Sequence, residues 1–537
     1  AFKASLAMSP EMAGGDLHLA GQIAERLGVP LFPPEADYEV QNAFEPANIT
    51  WFSANTRIKM MRAGSGGTDP LDSAVYPGSN VKQIGRLRLH LEDLGAAAAY
   101  RAHMLCGRWD TGEGPTNLSF DEIYLEGGHD NCNGVAVASG SNIRINKIDA
   151  GTTTKIGRAF MAHWSNFDDH YLSGGTYQHA PGAGPTVHPH DIHIGEIVGD
   201  ITISSGDFCA LHVVSAGYDV SVGRVSGSVD NSGAGPGNLV LFTVGDLGMA
   251  YGTADDLARG MRGLRVGSVA GSVSSHGINR IGRALYYNAD STPQSAENYM
   301  TKIHDSVDEV VITGAGNNIQ CCVDGHNGRG RSKYGVIKST SFRSAIVASN
   351  YTRDFNADII EAIDNQNQGV QLVGSGATQA DWPEEITIGR LIVNGTGGSE
   401  ATAGQSTVSN INKIVGLRIG EIIVDKLKPG MTFATGSVTV GADVVGVQID
   451  ILRLNWQGTG QTIAVLNSAA AEGFVDIGHI ICPVDMTPVS GGVTTRVVGR
   501  NREYHFAGGA VPSGITVRVG DRFYAAAAGT GQYFVQI

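Results

Sequence analysis

The chain has 537 residues, and its 74 glycines together with a charged fraction of only 17% favour many short strands joined by tight turns. This composition argues against a protein built from long helices. The formal net charge of -14 argues against a nucleic-acid-binding protein, because neutralising phosphates requires a clustered surface of lysine and arginine.

The first predicted element is a helix over residues 16–28, "DLHLAGQIAERLG", capped by Asp16 and ended by Gly28. One face of this helix is apolar and consists of Leu17, Ala20, Ile23, Ala24 and Leu27. The next segment, "VPLFPPEADYEV" at residues 29–40, predicts two short strands separated by a turn that Pro33 and Pro34 impose.

A six-residue phrase recurs along the rest of the chain, with apolar residues at positions one, three and six and a small or polar residue at position four. Its clearest copies are "IRINKI" at 143, "IHIGEI" at 192, "VSVGRV" at 220, "LRVGSV" at 264, "ITIGRL" at 386, "LRIGEI" at 417, "VQIDIL" at 447 and "VDIGHI" at 475. The last four copies start 31, 30 and 28 residues apart, and the 49 residues between the first two would hold two coils. Weaker copies between 264 and 386 are "VVITGAG", "YGVIKS" and "FNADIIEAI".

Each phrase predicts a strand whose first and third side chains point inward, with a bend at the fourth residue that turns the sixth inward again. One such unit per coil predicts an all-β fold, a right-handed parallel β-helix, because the hairpin signals of a sandwich are sparse. The first coil of a solenoid exposes strand edges and an open core. We therefore expect helix 16–28 to cap the solenoid and residues 29–40 to form its first coil.

The first polar and aromatic cluster is "HWSNFDDHYLSGGTYQ", residues 163–178. In a loop, Asp168 and Asp169 can face the same groove, and two like charges held close raise one pKa, as a general acid requires. The candidates for contact with a sugar are Trp164, His170 and Tyr171. A solvated acidic turn or a calcium-binding loop is the alternative interpretation.

A second cluster, "HPHDIHIGEIVGD" at residues 188–200, is dense in histidine. Alternation places Ile192 and Ile194 in the core, so His193 is expected to point outward and Asp191 to share its side. Together with His188, His190 and Glu196, these residues suggest a transition-metal site or a base for proton transfer. No metal-binding signature fits the spacing, and an ordinary polar outer face is the alternative.

A third cluster, "CCVDGHNGRGRSKYG" at residues 321–335, is basic within an acidic protein. Its guanidinium and ammonium groups could bind a uronic-acid carboxylate, while a histidine or tyrosine removes the neighbouring proton. The candidates are Asp324 and His326 for catalysis, and Arg329, Arg331, Lys333 and Tyr334 for substrate binding. The alternative is an exposed loop that pairs with the acidic surface.

Further carboxylates occur in "RDFNADIIEAID", where Asp354, Asp358 and Glu361 lie near repeat strands. We take Glu361 as a catalytic candidate, because a pair of carboxylates can hydrolyse a glycosidic bond. A separation of about 5 Å predicts retention and roughly 6.5–9.5 Å predicts inversion.

The six cysteines are too dispersed to form a metal site, and we expect mostly buried free thiols. They lie at positions 106, 132, 209, 321, 322 and 482. No metal and no other cofactor is predicted. No apolar run reaches the roughly 20 residues of a membrane helix, so membrane insertion is not expected.

Both ends of the chain carry motifs of a known family. The entry combines a helix, an apolar strand, Pro33-Pro34 and Tyr38, with Glu35-Ala36-Asp37 where the family usually has Gly-Thr. The end, "VPSGITVRVGDRFYAAAAGTGQYFVQI", contains a "VGD" turn followed by a "GTGQY" strand. With the repeat between them, the chain resembles the pectate-lyase-like β-helices of bacteriophage tailspikes and related polysaccharide depolymerases.

This resemblance implies a capping helix and first coil over residues 1–60, a β-helix body over 61–485 and a β-rich trimerisation tail over 486–537. It also implies a homotrimer on the virion tail, outside the cell, joined to the phage baseplate through a preceding region. The chain begins without methionine, and we expect a processed or truncated product. A secreted bacterial glycosidase or lyase is the alternative.

The function implied by the resemblance is binding and cleavage of a bacterial surface polysaccharide, either the O-antigen of lipopolysaccharide or a capsule. Carboxylate-catalysed hydrolysis is favoured, because acids outnumber candidate bases along the body. A lyase that acts by β-elimination on a uronic-acid-containing chain and a non-catalytic adhesive β-helix remain alternatives.

Overall fold

The structure is a computed structural model in which two compact units are formed. Unit 1 contains residues 1–274 and 281–306, and unit 2 contains residues 275–280 and 307–537. The residues described are 7–61, 73–92, 102–107, 114–128, 132–154, 156–162, 189–203, 209–214, 218–231, 239–244, 263–274, 276–280, 286–287, 293–294, 303–315, 321–325, 331–348, 352–374, 378–379, 382–396, 408–427, 436–455, 461–467, 475–483, 486–490, 495–496, 503–506 and 522–525.

Unit 1 begins with a 3-10 turn, Pro10–Ala13, and helix α1, Leu17–Leu27. As predicted, the Asp16 side chain accepts a hydrogen bond from the Leu19 amide at 3.0 Å, and Gly28 ends the helix with φ of 62°. The Phe44 ring lies against Gly21, where a Cβ would come within 2.9 Å of it. The buried face of the helix therefore includes Gly21. Leu27, which was predicted to lie on the buried face, is 63% exposed.

Two parallel sheets follow the helix in unit 1, and the chain alternates between them. The first sheet consists of β1 (Asp37–Val40), β2 (Thr50–Met60), β4 (Val81–Leu91), β6 (Thr116–Gly127), β8 (Ser141–Thr153), β10 (His190–Ile203), β12 (Tyr218–Asn231) and β14 (Leu264–Val273). The second consists of β3 (Ser73–Val75), β5 (Ala102–Cys106), β7 (Cys132–Val137), β9 (Ile156–Ala162), β11 (Cys209–Val214) and β13 (Leu239–Val244). A short antiparallel pair is formed by β16 (Tyr286–Tyr287) and β17 (Pro293–Gln294).

Unit 2 repeats this arrangement. Its first sheet consists of most of β18 (Ile303–Gly314), β20 (Arg331–Thr340), β22 (Phe355–Ile363), β24 (Glu384–Thr396), β26 (Ile414–Leu427), β28 (Val444–Leu454), β30 (Val475–Ile481), β32 (Thr495–Arg496), β33 (Glu503–Phe506) and β34 (Arg522–Ala525). Its second consists of β15 (His276–Arg280), β19 (Cys321–Asp324), β21 (Ser344–Ala348), β23 (Val370–Val373), β25 (Ser409–Asn412), β27 (Gly436–Val440), β29 (Ile463–Asn467) and β31 (Thr487–Ser490). The three-part division predicted from the sequence stays a prediction.

The parallel register confirms the predicted parallel β-helix. The Cα of Ile192 is paired with those of Ile143 in the preceding coil and Val220 in the following one, and all three side chains are buried. Equivalent phrase positions therefore stack into an apolar column inside the coils. The expectation of two coils between 143 and 192 is wrong, because β8 pairs directly with β10.

The fourth residue of the phrase has a specific steric role. A Cβ at Gly420 would lie 2.5 Å from the Gly389 carbonyl oxygen, and a Cβ at Gly389 would lie 2.5 Å from that of Asp358. Glycine avoids this clash at Gly389 and Gly420 because successive coils approach closely at the bend, and its φ is not the reason, since it is not in the left-handed region.

The two sheets of unit 1 differ in exposure. In β5 and β7, neighbouring residues such as Met104 and Leu105, or Val135 and Ala136, are all buried, so both faces of these second-sheet strands are covered. In the first sheet, buried residues alternate with accessible ones, as in β10. Compared with β5 and β7, the first-sheet strands of unit 1 therefore have an outer face that a ligand can reach.

The described cysteine side chains match their prediction. Cys106, Cys132, Cys321, Cys322 and Cys482 are free and buried, and burial raises the pKa of the Cys106 thiol to about 12. In the part of the chain that the structure describes, no helix is both long and apolar enough to cross a membrane.

Candidate functional site

Several predicted site residues lie outside the described residues. These are Trp164, Asp168, Asp169, His170, Tyr171, His326 and Arg329. Their roles stay predictions.

The histidine cluster forms a hydrogen-bonded relay on the outer face of β10 and β12. The Nε2 atom of His193 lies 2.9 Å from Oδ1 of Asp191, and its Nδ1 atom lies 2.5 Å from Oγ of Ser221 in the next coil. The two side chains of His193 and Asp191 share one face, as alternation predicted, and each is about half exposed. The relay thus joins two coils at a surface open to solvent.

The chemistry of the partners determines where the proton resides. An ionised carboxylate only accepts hydrogen bonds, so Nε2 of neutral His193 carries the proton toward Asp191. The lone pair at Nδ1 then accepts from the Ser221 hydroxyl. A base held by a carboxylate on one side and a hydroxyl on the other can receive a proton through that hydroxyl.

Two guanidinium groups occupy the same row of the sheet. Arg144 of β8 is in register with His193, and Arg265 of β14 is in register with Ser221. Both arginines are exposed. The row Arg144–His193–Ser221–Arg265 therefore places a base between two cations, an arrangement suited to an anionic ligand.

Sequence reasoning missed Arg144, Ser221 and Arg265, although the signal was present. Each occupies the second position of its phrase, as His193 does. Because the phrases stack in register, their second residues form one outward row.

The basic cluster of unit 2 is only partly brought together. Nε of Arg331 lies 2.6 Å from Oδ2 of Asp354, and Lys333 is exposed two residues further along β20. Nζ of Lys338 lies 3.8 Å from Oε2 of Glu361. The outer face of this unit therefore carries paired acids and bases at neighbouring positions.

Two predicted residues of this cluster are buried. Tyr334 is fully buried, and its ring stacks on that of Phe355 with centroids 5.2 Å apart. This placement corrects the prediction that Tyr334 contacts substrate, because its ring faces the core. Asp324 is only 7% exposed at the end of β19 in the second sheet, whereas Arg331 and Lys333 are on the first.

No metal site is formed by the residues that the structure describes. Among them there is no group of three or more histidine, cysteine, aspartate or glutamate side chains that could hold an ion. The transition-metal alternative for the histidine cluster therefore has no support from the described part of that cluster.

No protein-family model matches the chain, and no curated protein matches it. Among solved structures, the tailspike protein of E. coli bacteriophage HK620 in complex with pentasaccharide matches with 11% identity and a TM-score of 0.38. The match covers 95% of this chain and 76% of that one. The chain is similar to a phage tailspike. This likeness assigns no residue a role.

Proposed function

We propose that this protein binds a bacterial surface polysaccharide, an O-antigen or a capsule, along the outer face of its first sheet and cleaves it. The observation that supports cleavage is the Asp191–His193–Ser221 relay between Arg144 and Arg265. An extended face with hydrogen-bonding side chains at the constant spacing of the coils suits an extended polymer.

This arrangement favours β-elimination on a uronic-acid residue. The Ser221 hydroxyl would take the proton beside the uronate carboxylate while passing its own proton to Nδ1 of His193. Arg144 and Arg265 would neutralise the charge that develops on the carboxylate. The glycosidic carbon–oxygen bond then breaks, a carbon–carbon double bond forms, and the departing oxygen takes a proton from water. The hydroxide so formed would take the proton from His193 and restore the relay.

Hydrolysis is the second candidate. It would use carboxylates, with Asp168, Asp169 and Glu361 as the predicted residues. Glu361 lies on the outer face beside Lys338. Assembly as a homotrimer and a place on the virion tail, or alternatively secretion, belong to the same proposal.

The test is incubation with purified lipopolysaccharide and capsule preparations from several bacteria, with chain length and ultraviolet absorbance followed together. Shortening with new absorbance is expected, because elimination leaves an unsaturated uronate. His193→Gln should lower turnover by about 100-fold or more while binding persists. Ser228→Ala is the matched control for Ser221→Ala, because Ser228 lies on the same strand and also donates to a side chain of the preceding coil, the Asp200 carboxylate at 2.6 Å, but is not part of the relay.

Each contrary result has a distinct meaning. Shortening without absorbance, unchanged in His193→Gln, would reject elimination and direct the analysis to the carboxylates. Binding without shortening would support the adhesive alternative. An absence of binding across the panel would overturn the proposal.

A further inference from the structure

A ladder of asparagines runs along the corner where the chain enters the first sheet of unit 1. Asn48, Asn80, Asn117 and Asn142 have φ of 49°, 58°, 61° and 53°. Each precedes the first inward residue of a coil, and asparagine adopts this left-handed conformation more readily than most residues with a side chain. In these four coils the turn therefore has the same side chain at the same place.

The carboxamides are linked by hydrogen bonds from coil to coil. Nδ2 of Asn80 donates to Oδ1 of Asn48 at 2.9 Å, Asn117 donates to Asn80 at 2.9 Å, and Asn142 donates to Asn117 at 2.7 Å. Nδ2 of Asn48 donates to Oε1 of Glu25 on α1 at 3.0 Å. These hydrogen bonds fix the orientation of the amides. Because all of the bonds are at the surface, the ladder is also accessible.

The ladder leaves hydrogen-bonding capacity unused. A carboxamide has two N–H donors and two acceptor positions on its oxygen. In Asn48, Asn80 and Asn117, the ladder uses one donor and one acceptor position each. Each amide can still offer one donor and one acceptor, repeated at about 4.8 Å from coil to coil.

A groove lies beside the ladder and has a volume of about 440 Å³. Its polar lining includes the three amides of Asn48, Asn80 and Asn117, the hydroxyl-bearing Thr50 and Ser119, and Lys82. Lys82 is exposed and has no ion-pair partner among the residues that the structure describes. The groove thus combines paired donors and acceptors with one positively charged side chain.

We infer that this groove is a second saccharide-binding subsite that takes an acidic sugar of the same polymer. Adjacent hydroxyl groups of a sugar each donate and accept, so they match the free donor and acceptor of a ladder amide. A carboxylate on that sugar would pair with Lys82. The inference rests on the proposed function and adds to it a site that binds without cleaving.

The experiment measures binding of the same lipopolysaccharide and capsule preparations in a His193→Gln background, where the chains stay intact. Lys82→Gln and Asn117→Asp should each weaken the affinity by about tenfold, because Lys82→Gln removes the positive charge and Asn117→Asp removes the amide donor. Asn142→Asp is the matched control. It loses an equivalent ladder bond, but Asn142 does not line the groove. The affinity of the Asn142→Asp variant for the polysaccharide should therefore stay within about twofold of that of the His193→Gln parent. Thermal unfolding of every variant checks that the fold is retained.

The outcomes separate this inference from the proposed function. If the groove variants bind as the His193→Gln parent does, the subsite is rejected and the cleavage proposal stands. If they lose binding but the wild-type protein shortens no chain, the subsite stands and cleavage fails. If no preparation binds at all, both are overturned.

Discussion

At the scale of single residues, the position of a residue within the repeat predicts whether its side chain is buried more reliably than its chemical type does. Tyr334 was assigned to a binding loop because basic residues surround it, yet its register with Ala357 and, one coil further, Ile388 places it at the third position of the phrase. That position points inward in every clear copy, and Tyr334 does the same. The repeat thus contained the correct prediction. Which of Arg331 and Lys333 pairs with an acid could not be predicted, because ion pairing depends on side chains from another coil.

The buried side chain of His103 predicts how the stability of the protein depends on pH. It is fully buried on β5, with Nε2 2.9 Å from the Glu126 carbonyl oxygen and Nδ1 3.2 Å from that of Asn133. Burial lowers its pKa to about 4, although the two carbonyl groups oppose this shift. The unfolded chain binds a proton near pH 6.5 that the folded protein does not bind until near pH 4.

The stability that neutral His103 contributes is therefore complete above about pH 6.5 and is lost as the pH falls toward 4, by up to about 3 kcal/mol. The measurement is the free energy of unfolding from denaturant titrations between pH 8 and pH 4. His103→Gln should show a shallower decline than the wild type, with the difference growing below pH 6.5. An identical decline in both proteins would mean that His103 does not titrate differently on folding.

At the scale of elements, the first sheet could be predicted from sequence and the second could not. All eight clear phrases lie in first-sheet strands. One face of those strands is accessible and the other is buried, so apolar and polar residues alternate along the sequence with a period of two. Strands such as β5 and β7 are covered on both faces, so apolar and small residues occupy every position and no alternation remains. The asparagine ladder was also missed, although Asn or Asp directly precedes the phrases at 143, 192 and 220.

The close approach of successive coils at the fourth residue of the phrase predicts that a larger side chain there destabilises the fold. Gly420→Ala places a Cβ 2.5 Å from the Gly389 carbonyl oxygen, which is main chain and cannot move without shifting a coil. We expect a loss of about 1–3 kcal/mol in the free energy of unfolding, as for other overpacked sites. Asp450→Ala is the matched control at the same bend of the next coil, where a Cβ already exists. It loses only exposed contacts with Arg418 and Gln448, so its cost should stay below about 1 kcal/mol. Equal losses in the two variants would show that close stacking is not the reason for glycine at this position.

At the scale of the whole molecule, the number of coils was harder to predict than their type. The 49-residue gap suggested an additional coil, but β8 and β10 are neighbours in the first sheet, and the described strand between them, β9, belongs to the second sheet. Loop length varies freely at the turns of a solenoid, so spacing alone does not count coils. The outer faces of the two units also differ. In the row formed by the seventh residue of the phrase, unit 1 carries Asp149, Val198 and Ser226, whereas unit 2 places Ile392 and Ile423 side by side.

The homotrimer is predicted from the family resemblance. The apolar pair on the outer face of unit 2 indicates where its subunits would meet. Ile392 and Ile423 are half-buried in the single chain, and a charged side chain at either position would be costly inside a subunit interface. Sedimentation velocity should show a trimer for the wild type and a smaller species for Ile423→Lys. Thr387→Lys, at a polar outward position of the same sheet, is the control and should remain trimeric. A trimer that survives Ile392→Lys and Ile423→Lys would place the contact on another face, and a monomeric wild type would reject the trimer itself.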